Sequence, residues 1–130
     1  MVVGQGHGLH QLQGLLPQAF GGRGALFDQG GIALRGLVHL AQRLADLGLL
    51  VNVSELDIRV ASLSTNRWER QKAAYKDLTA ACMDVSACHA ITLWGFTDRY
   101  TWVDAQFGAD DPLPFDEDYQ AKPAFFGMQE

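Results

Sequence analysis

Residues 48–58 constrain this chain more than any other stretch. After Gly48 come Leu49, Leu50, Val51, Asn52 and Val53, an apolar run with β-branched valines of the kind that forms a short buried strand. The run ends in two carboxylates, Glu55 and Asp57, separated by Leu56. In extended backbone alternate side chains share a face, so the two acids are expected on one side and Leu56 on the other. Upstream, Leu34, Leu37, Val38, Ala41, Leu44, Ala45 and Leu47 recur at helical spacing, with Arg35, Gln42, Arg43 and Asp46 off the stripe. His39 also lies off it and is expected in solvent. Gly48 suits the left-handed residue that ends such a helix. A helix over residues 32–47, packed on a sheet and leading into a strand tipped with acids, is the expectation. As bare residues, Ser54, Glu55, Leu56 and Asp57 also describe a solvated strand end.

Downstream, Asn66 with Glu69 three residues later reads as a helix N-cap and its capping-box partner. The helix runs to about Met83, with Trp68, Tyr75, Leu78 and Cys82 on one face. A second apolar strand, residues 90–94, opens into Gly95, Phe96, Thr97, Asp98, Arg99, Tyr100, Thr101 and Trp102. Six acids in residues 104–118 are read as a solvated loop, because Phe107, Pro112 and Pro114 break any calcium-loop spacing. Pro123 suits the first turn of a last helix. Residues 8–30 are rich in Gly and Gln and read as a loop, with Leu12, Leu15, Leu16 and Phe20 as a short helical turn. No chemistry is assigned to them, since the strand, glycines and Lys-Ser/Thr order of a phosphate cradle is absent. Cys82 and Cys88 lack histidines at ligand spacing, so they make no zinc site; as bare residues they are two free thiols or a pair.

The composition, 48% hydrophobic and 19% charged in 130 residues, is that of a globular chain. A net charge of −5, with basic residues scattered among acids, offers no stripe for phosphates, so nucleic acid is not expected as a partner. Neither is a membrane, for want of an apolar run of spanning length.

Gly48, Val51, Val53, Ser54, Glu55, Leu56, Asp57 and Ile58 together resemble the active-site signature of the family 10 glycoside hydrolases, the retaining β-1,4-xylanases. Gln5 and His7 resemble the family's Gln-x-His at the end of barrel strand six. Trp94, Gly95, Thr97, Asp98 and Trp102 resemble its strand-eight loop. The run Pro112, Leu113, Pro114, Phe115, Asp116, Tyr119, Lys122, Pro123 resembles the approach to its final helix.

That resemblance implies an α/β fold, the C-terminal part of a (β/α)8 TIM barrel with strands six to eight and their helices. A whole barrel takes about 250 residues, so residues 1–130 are expected to be a partial catalytic domain. The start, Met1 to Gly4, shows no charged region leading into an apolar one; on the resemblance, the N-terminal barrel half is missing and the C-terminus is clipped as well. The implied function is endo-hydrolysis of xylan, with Glu55 as nucleophile and no cofactor or metal. His7 would hydrogen-bond Glu55 and be held by Asp57, on adjacent parallel strands. Gln5, Trp94 and Trp102 would bind sugar. The family's acid/base glutamate, in a Trp-Asp-x-x-Asn-Glu context, has no counterpart here, so the chain alone is expected to be inactive. A non-catalytic xylan-binding fragment or a remnant is the competing expectation. The resemblance also implies a Cys82–Cys88 disulfide and hence a secreted, extracellular protein.

Overall fold

A computed structural model of the protein describes residues 2–5, 8–11, 30–61 and 65–130. His7, and the turn expected around Leu12 to Phe20, lie outside the described residues. The elements in order are β1 (Val2–Gln5), β2 (Gly8–Gln11), α1 (Gly30–Asp46), β3 (Leu50–Leu56), α2 (Arg67–Met83), β4 (Cys88–Leu93), a 3-10 turn (Asp98–Tyr100), α3 (Val103–Phe107) and α4 (Pro123–Gly127). They divide between two compact units, one of residues 1–54 with 79–92, the other of residues 55–78 with 93–130.

The first unit is built on a sheet in the order β2-β1-β3-β4. From Val38 to Ala45 the stripe on α1 packs as its spacing predicts: Ala41 joins Val51 of β3 and Val85 in a buried cluster, with Val38, Leu44, Ala45, Ala87 and Cys88 against it. His39 is exposed, as expected. The helix ends in a full Schellman motif. Gly48 sits at φ +74°, its N–H donates to Ala45 O at 2.8 Å and the Leu49 N–H donates to Leu44 O at 3.0 Å. Leu47, counted on the stripe, falls beyond the helix and is 72% exposed.

β3 and β4 are sheet neighbours, and α2 lies between them in the chain. β1 departs from the barrel expectation. It pairs antiparallel with β3, Val3 opposite Val51, and antiparallel with β2, Gln5 opposite Gly8. Barrel strands are all parallel, so the placing of residues 2–5 as strand six, with Glu55 on a parallel neighbour, does not hold. Gly8–Gln11, read as loop, is a strand. Two residues separate β1 from β2, a hairpin length that dictates antiparallel pairing, and the Gly and Gln content that hid β2 carries little strand propensity of its own.

Cys82, at the end of α2, and Cys88, at the start of β4, form a disulfide. Replacing both by serine is expected to cost about 2 kcal/mol, the chain-entropy value for so short a loop. Urea titration of the oxidised chain against the double variant measures it, and coincident midpoints would contradict it.

The second unit carries the end of β3, most of α2 and residues 93–130. Asn66 precedes α2 but takes φ +50°, unlike the extended backbone usual at an N-cap, and its carbonyl opens the helix ladder by accepting from Arg70 N–H at 3.0 Å. Tyr75 is buried as the helical face predicts, while Trp68 is half-buried, with the Arg67 guanidinium 4.4 Å from its ring centroid. Pro123 stands in the first turn of α4, where its missing N–H costs nothing.

Candidate active site

The strand β3 delivers Ser54, Glu55 and Leu56 in succession, and the pleat places Leu56 in the interior at 6% exposure while Glu55 is exposed and Asp57 half-buried. Glu55 does not continue the extended backbone. Its φ is +59°, in the left-handed region that costs a side chain about 1–2 kcal/mol. Simple alternation therefore stops at Glu55, although the two acids still lie close enough to repel one another electrostatically.

Asp57 meets Trp102. The indole Nε1–H donates to Asp57 Oδ2 at 2.5 Å. Asp57 Oδ1 is buried and has no hydrogen-bond partner among the described residues. Burial pushes the Asp57 carboxyl above the ordinary range; the indole bond pulls it back and the Glu55 charge adds to the rise. Trp102 itself is 45% exposed and packs edge-to-face on Phe107, ring centroids 5.8 Å apart. Trp94, just past β4, is 54% exposed. The second unit thus holds Glu55, Asp57, Trp94 and Trp102, with Asp57 and Trp102 in direct contact. Gln5 lies in β1 of the first unit, and His7 lies outside the described residues.

The frame beneath these residues is polar and buried, and no sequence pattern marked it. Gln71 on α2 is completely buried; its Nε2 donates to Ile58 O at 2.8 Å and to Asp111 O at 2.7 Å. One helical turn on, Tyr75 Oη–H donates to Pro112 O at 2.8 Å, which also accepts the Ile58 N–H at 3.1 Å. Lys122 Nζ reaches Asp98 Oδ2 at 2.6 Å, within the interior, and the half-buried Asp111 O at 2.8 Å. Asp98 Oδ1 accepts from Leu113 N–H at 2.8 Å. Thr97 Oγ1 caps the 3-10 turn and donates to Asp116 O. The peptide after Asp57 and the turn before Trp102 are in this way fixed to one segment, residues 110–115.

Asp110 corrects the reading of the acidic stretch as wholly solvated. Its Oδ1 accepts from the N–H groups of Val60, Ala61 and Asp111, and its Oδ2 pairs with Arg59 Nε at 2.8 Å. Burial alone would raise its pKa, but these bonds together hold the carboxyl below the usual range. Among the described residues, no three His, Cys, Asp or Glu side chains gather as a metal site.

The profile of glycosyl hydrolase family 10 matches residues 27–130. Endo-1,4-beta-xylanase D of Talaromyces funiculosus is 40% identical over 84 residues, 63% of this chain and 21% of that protein. Endo-1,4-beta-xylanase B of Thermotoga neapolitana is 34% identical over 106 residues, 79% of this chain and 31% of that protein. Among solved structures, xylanase 10B from Thermotoga petrophila RKU-1 in complex with xylobiose superposes with a TM-score of 0.68 at 30% identity, covering 74% of this chain and 30% of that one. A glycosylated endo-beta-1,4-xylanase from Gloeophyllum trabeum gives 0.66 at 34% identity, covering 71% and 30%. The chain belongs to glycosyl hydrolase family 10. Its fold is part of the (β/α)8 barrel of these xylanases, and it spans about a fifth to a third of the relatives named.

A folded pKa held below the unfolded one makes Asp110 a stabiliser in its ionised form. That stability is fully present above the unfolded carboxylate pKa, about pH 4, and is lost as pH falls through the folded value. Asp110→Asn is expected to lower stability at neutral pH and to flatten the acid limb. Urea midpoints followed by circular dichroism from pH 7 down to 3 check both; parallel acid limbs for the two proteins would contradict the assignment.

Proposed function

We propose that this chain carries the nucleophile side of a retaining endo-β-1,4-xylanase site, with Glu55 as the nucleophile, within a partial family 10 catalytic domain spanning residues 1–130. The observation that carries the reading is Glu55 itself, an exposed carboxylate held in left-handed backbone at a strand end, beside an Asp57 whose carboxylate is engaged by Trp102. Backbone strain of this kind gathers at working sites. Family membership supports the substrate, since xylanases that superpose on the chain bind xylobiose and xylopentaose.

In the reaction Glu55 attacks the anomeric carbon and the leaving oxygen takes a proton from a second carboxyl, about 5–5.5 Å from the first in retaining enzymes. Water then cleaves the glycosyl-enzyme, with that second group as base. None of the other glutamates here suits this task. Glu69 is in the first turn of α2, Glu117 is in an exposed loop, and Glu130 is paired with Lys72 and Lys76. The acid/base belongs to strand four of the barrel, in a part of the domain that acts as this chain's partner. The buried Asp57 Oδ1 is an acceptor suited to a further N–H donor. Trp94 and Trp102 present apolar faces on which a pyranose ring can stack. The disulfide supports a secreted protein.

The half-exposed tryptophans equally favour a second reading, a xylan-binding fragment without turnover. Activity assays decide. The chain alone is expected not to hydrolyse xylan, because general acid–base assistance is worth about 10²–10⁴-fold. Adding strands one to five of a related xylanase, as a fusion or second chain, should restore hydrolysis, and Glu55→Gln should abolish it again. Turnover of a xylobioside by the pure 130-residue chain would falsify the half-site; binding of xylo-oligosaccharide in every arrangement, with turnover in none, would favour the second reading.

A further inference from the structure

The Asp57–Trp102 bond has a consequence for the sugar wall. Trp102 is gripped at two places. Its Nε1–H is bound by Asp57 Oδ2, and its ring meets Phe107, over which the Arg59 guanidinium lies 4.3 Å from the centroid. Arg59 is in turn fixed by Asp110, which also holds the backbone of Val60 and Ala61. Asp57 and Arg59, two residues apart in the segment leaving β3, thus reach the same indole by different routes. About half of that indole remains exposed.

From this geometry we propose that Asp57 is a positioning residue for Trp102: its Oδ2 fixes the indole's orientation, so that the stacking surface is set by the same short stretch of backbone that carries Glu55. The two oxygens of Asp57 then have separate tasks. Oδ2 is committed to the indole, and only Oδ1 is left for any other donor. An indole is free to rotate about two side-chain bonds; a hydrogen bond to a charged acceptor, a stronger kind than one between neutral groups, selects one orientation before sugar arrives and removes that ordering from the cost of binding. The latch itself stands on the hydrogen bond, while its use in sugar binding rests on the reading of Trp102 as a sugar wall.

The test uses the ¹⁵N-labelled 130-residue chain and the indole N–H signals of Trp68, Trp94 and Trp102, assigned with Trp102→Phe. The Trp102 N–H is expected to exchange with solvent about tenfold more slowly than that of Trp94, in keeping with a hydrogen bond to a charged group. Asp57→Ala should erase the protection, and Asp57→Asn, which keeps an oxygen acceptor, should retain most of it. Exchange of Trp102 as fast as Trp94 in the unmodified chain, or protection that survives Asp57→Ala, overturns the latch. Should Asp57→Ala fail to fold, the unmodified chain and Asp57→Asn still decide. Xylohexaose added to the same samples is expected to shift the Trp94 and Trp102 signals, with about tenfold weaker binding in Asp57→Ala and recovery in Asp57→Asn. Equal affinity in all three overturns the positioning role. Absence of any shift in the unmodified chain overturns the sugar reading, while the exchange rates still judge the latch.

Discussion

The carbonyl oxygens of Ile58, Asp111 and Pro112 are the acceptors on which the second unit depends. Three buried side chains converge on them: Gln71 and Tyr75 from one face of α2, and Lys122 from the residue before α4. Loop backbone taken out of water must find partners or lose several kcal/mol per group. Here a helix supplies those partners in place of a strand. The result is an irregular segment, residues 110–115, held by side-chain donors and, at Phe115, by isolated β-bridges to Thr97 and Ala121. Two of the site residues hang from it: Asp57 through the Ile58 peptide, and Trp102 through Asp98 and the 3-10 turn.

Asp98 and Lys122 show how such a frame tolerates charge. Each is buried, and an isolated ion there would be very costly. Neither is isolated. Lys122 spends its donors on a carboxylate and a carbonyl, and its ammonium stands 5.1 Å from the Trp68 ring centroid. Asp98 accepts from Lys122 and Leu113, yet burial still pushes its carboxyl above the ordinary range. Removing either partner would strand the other, so the pair contributes less to net stability than to fixing one arrangement of the turn.

What the sequence disclosed follows from which forces act locally. The stripe on α1, the Gly48 cap, the strand ending at Leu56 and the first turn at Pro123 arise from periodicity and backbone preference within a few residues, and all were legible. The site acids and tryptophans were legible only as a pattern spread over the chain. Gln71, Asp110 and Lys122 were not. Apart from the Asp111 N–H next to Asp110, the partners named for them lie between 11 and 51 residues away in sequence, and a buried polar residue with distant partners has the same local signature as an exposed one. Asn66 looked like a cap because its residue type suits one, but a capping box also needs an extended φ that it does not adopt. β2 was hidden for the opposite reason: its pairing with β1 makes a strand of residues with little intrinsic preference for one.

That the shared acceptors are main-chain atoms has a bearing on how such a segment can vary. A carbonyl oxygen is present whatever side chain its residue bears, so positions 58, 111 and 112 can exchange side chains without disturbing the acceptor pattern, within the limits of their own packing. The donors have no such freedom. Position 71 needs a primary amide of glutamine's length, position 75 a hydroxyl at the end of a rigid ring, and position 122 an ammonium on a long stem. Genetic drift in this part of the molecule is therefore expected to be lopsided, free at the acceptor positions of the loop and restrained at the donors, two of which lie on a helix that looks like scaffolding.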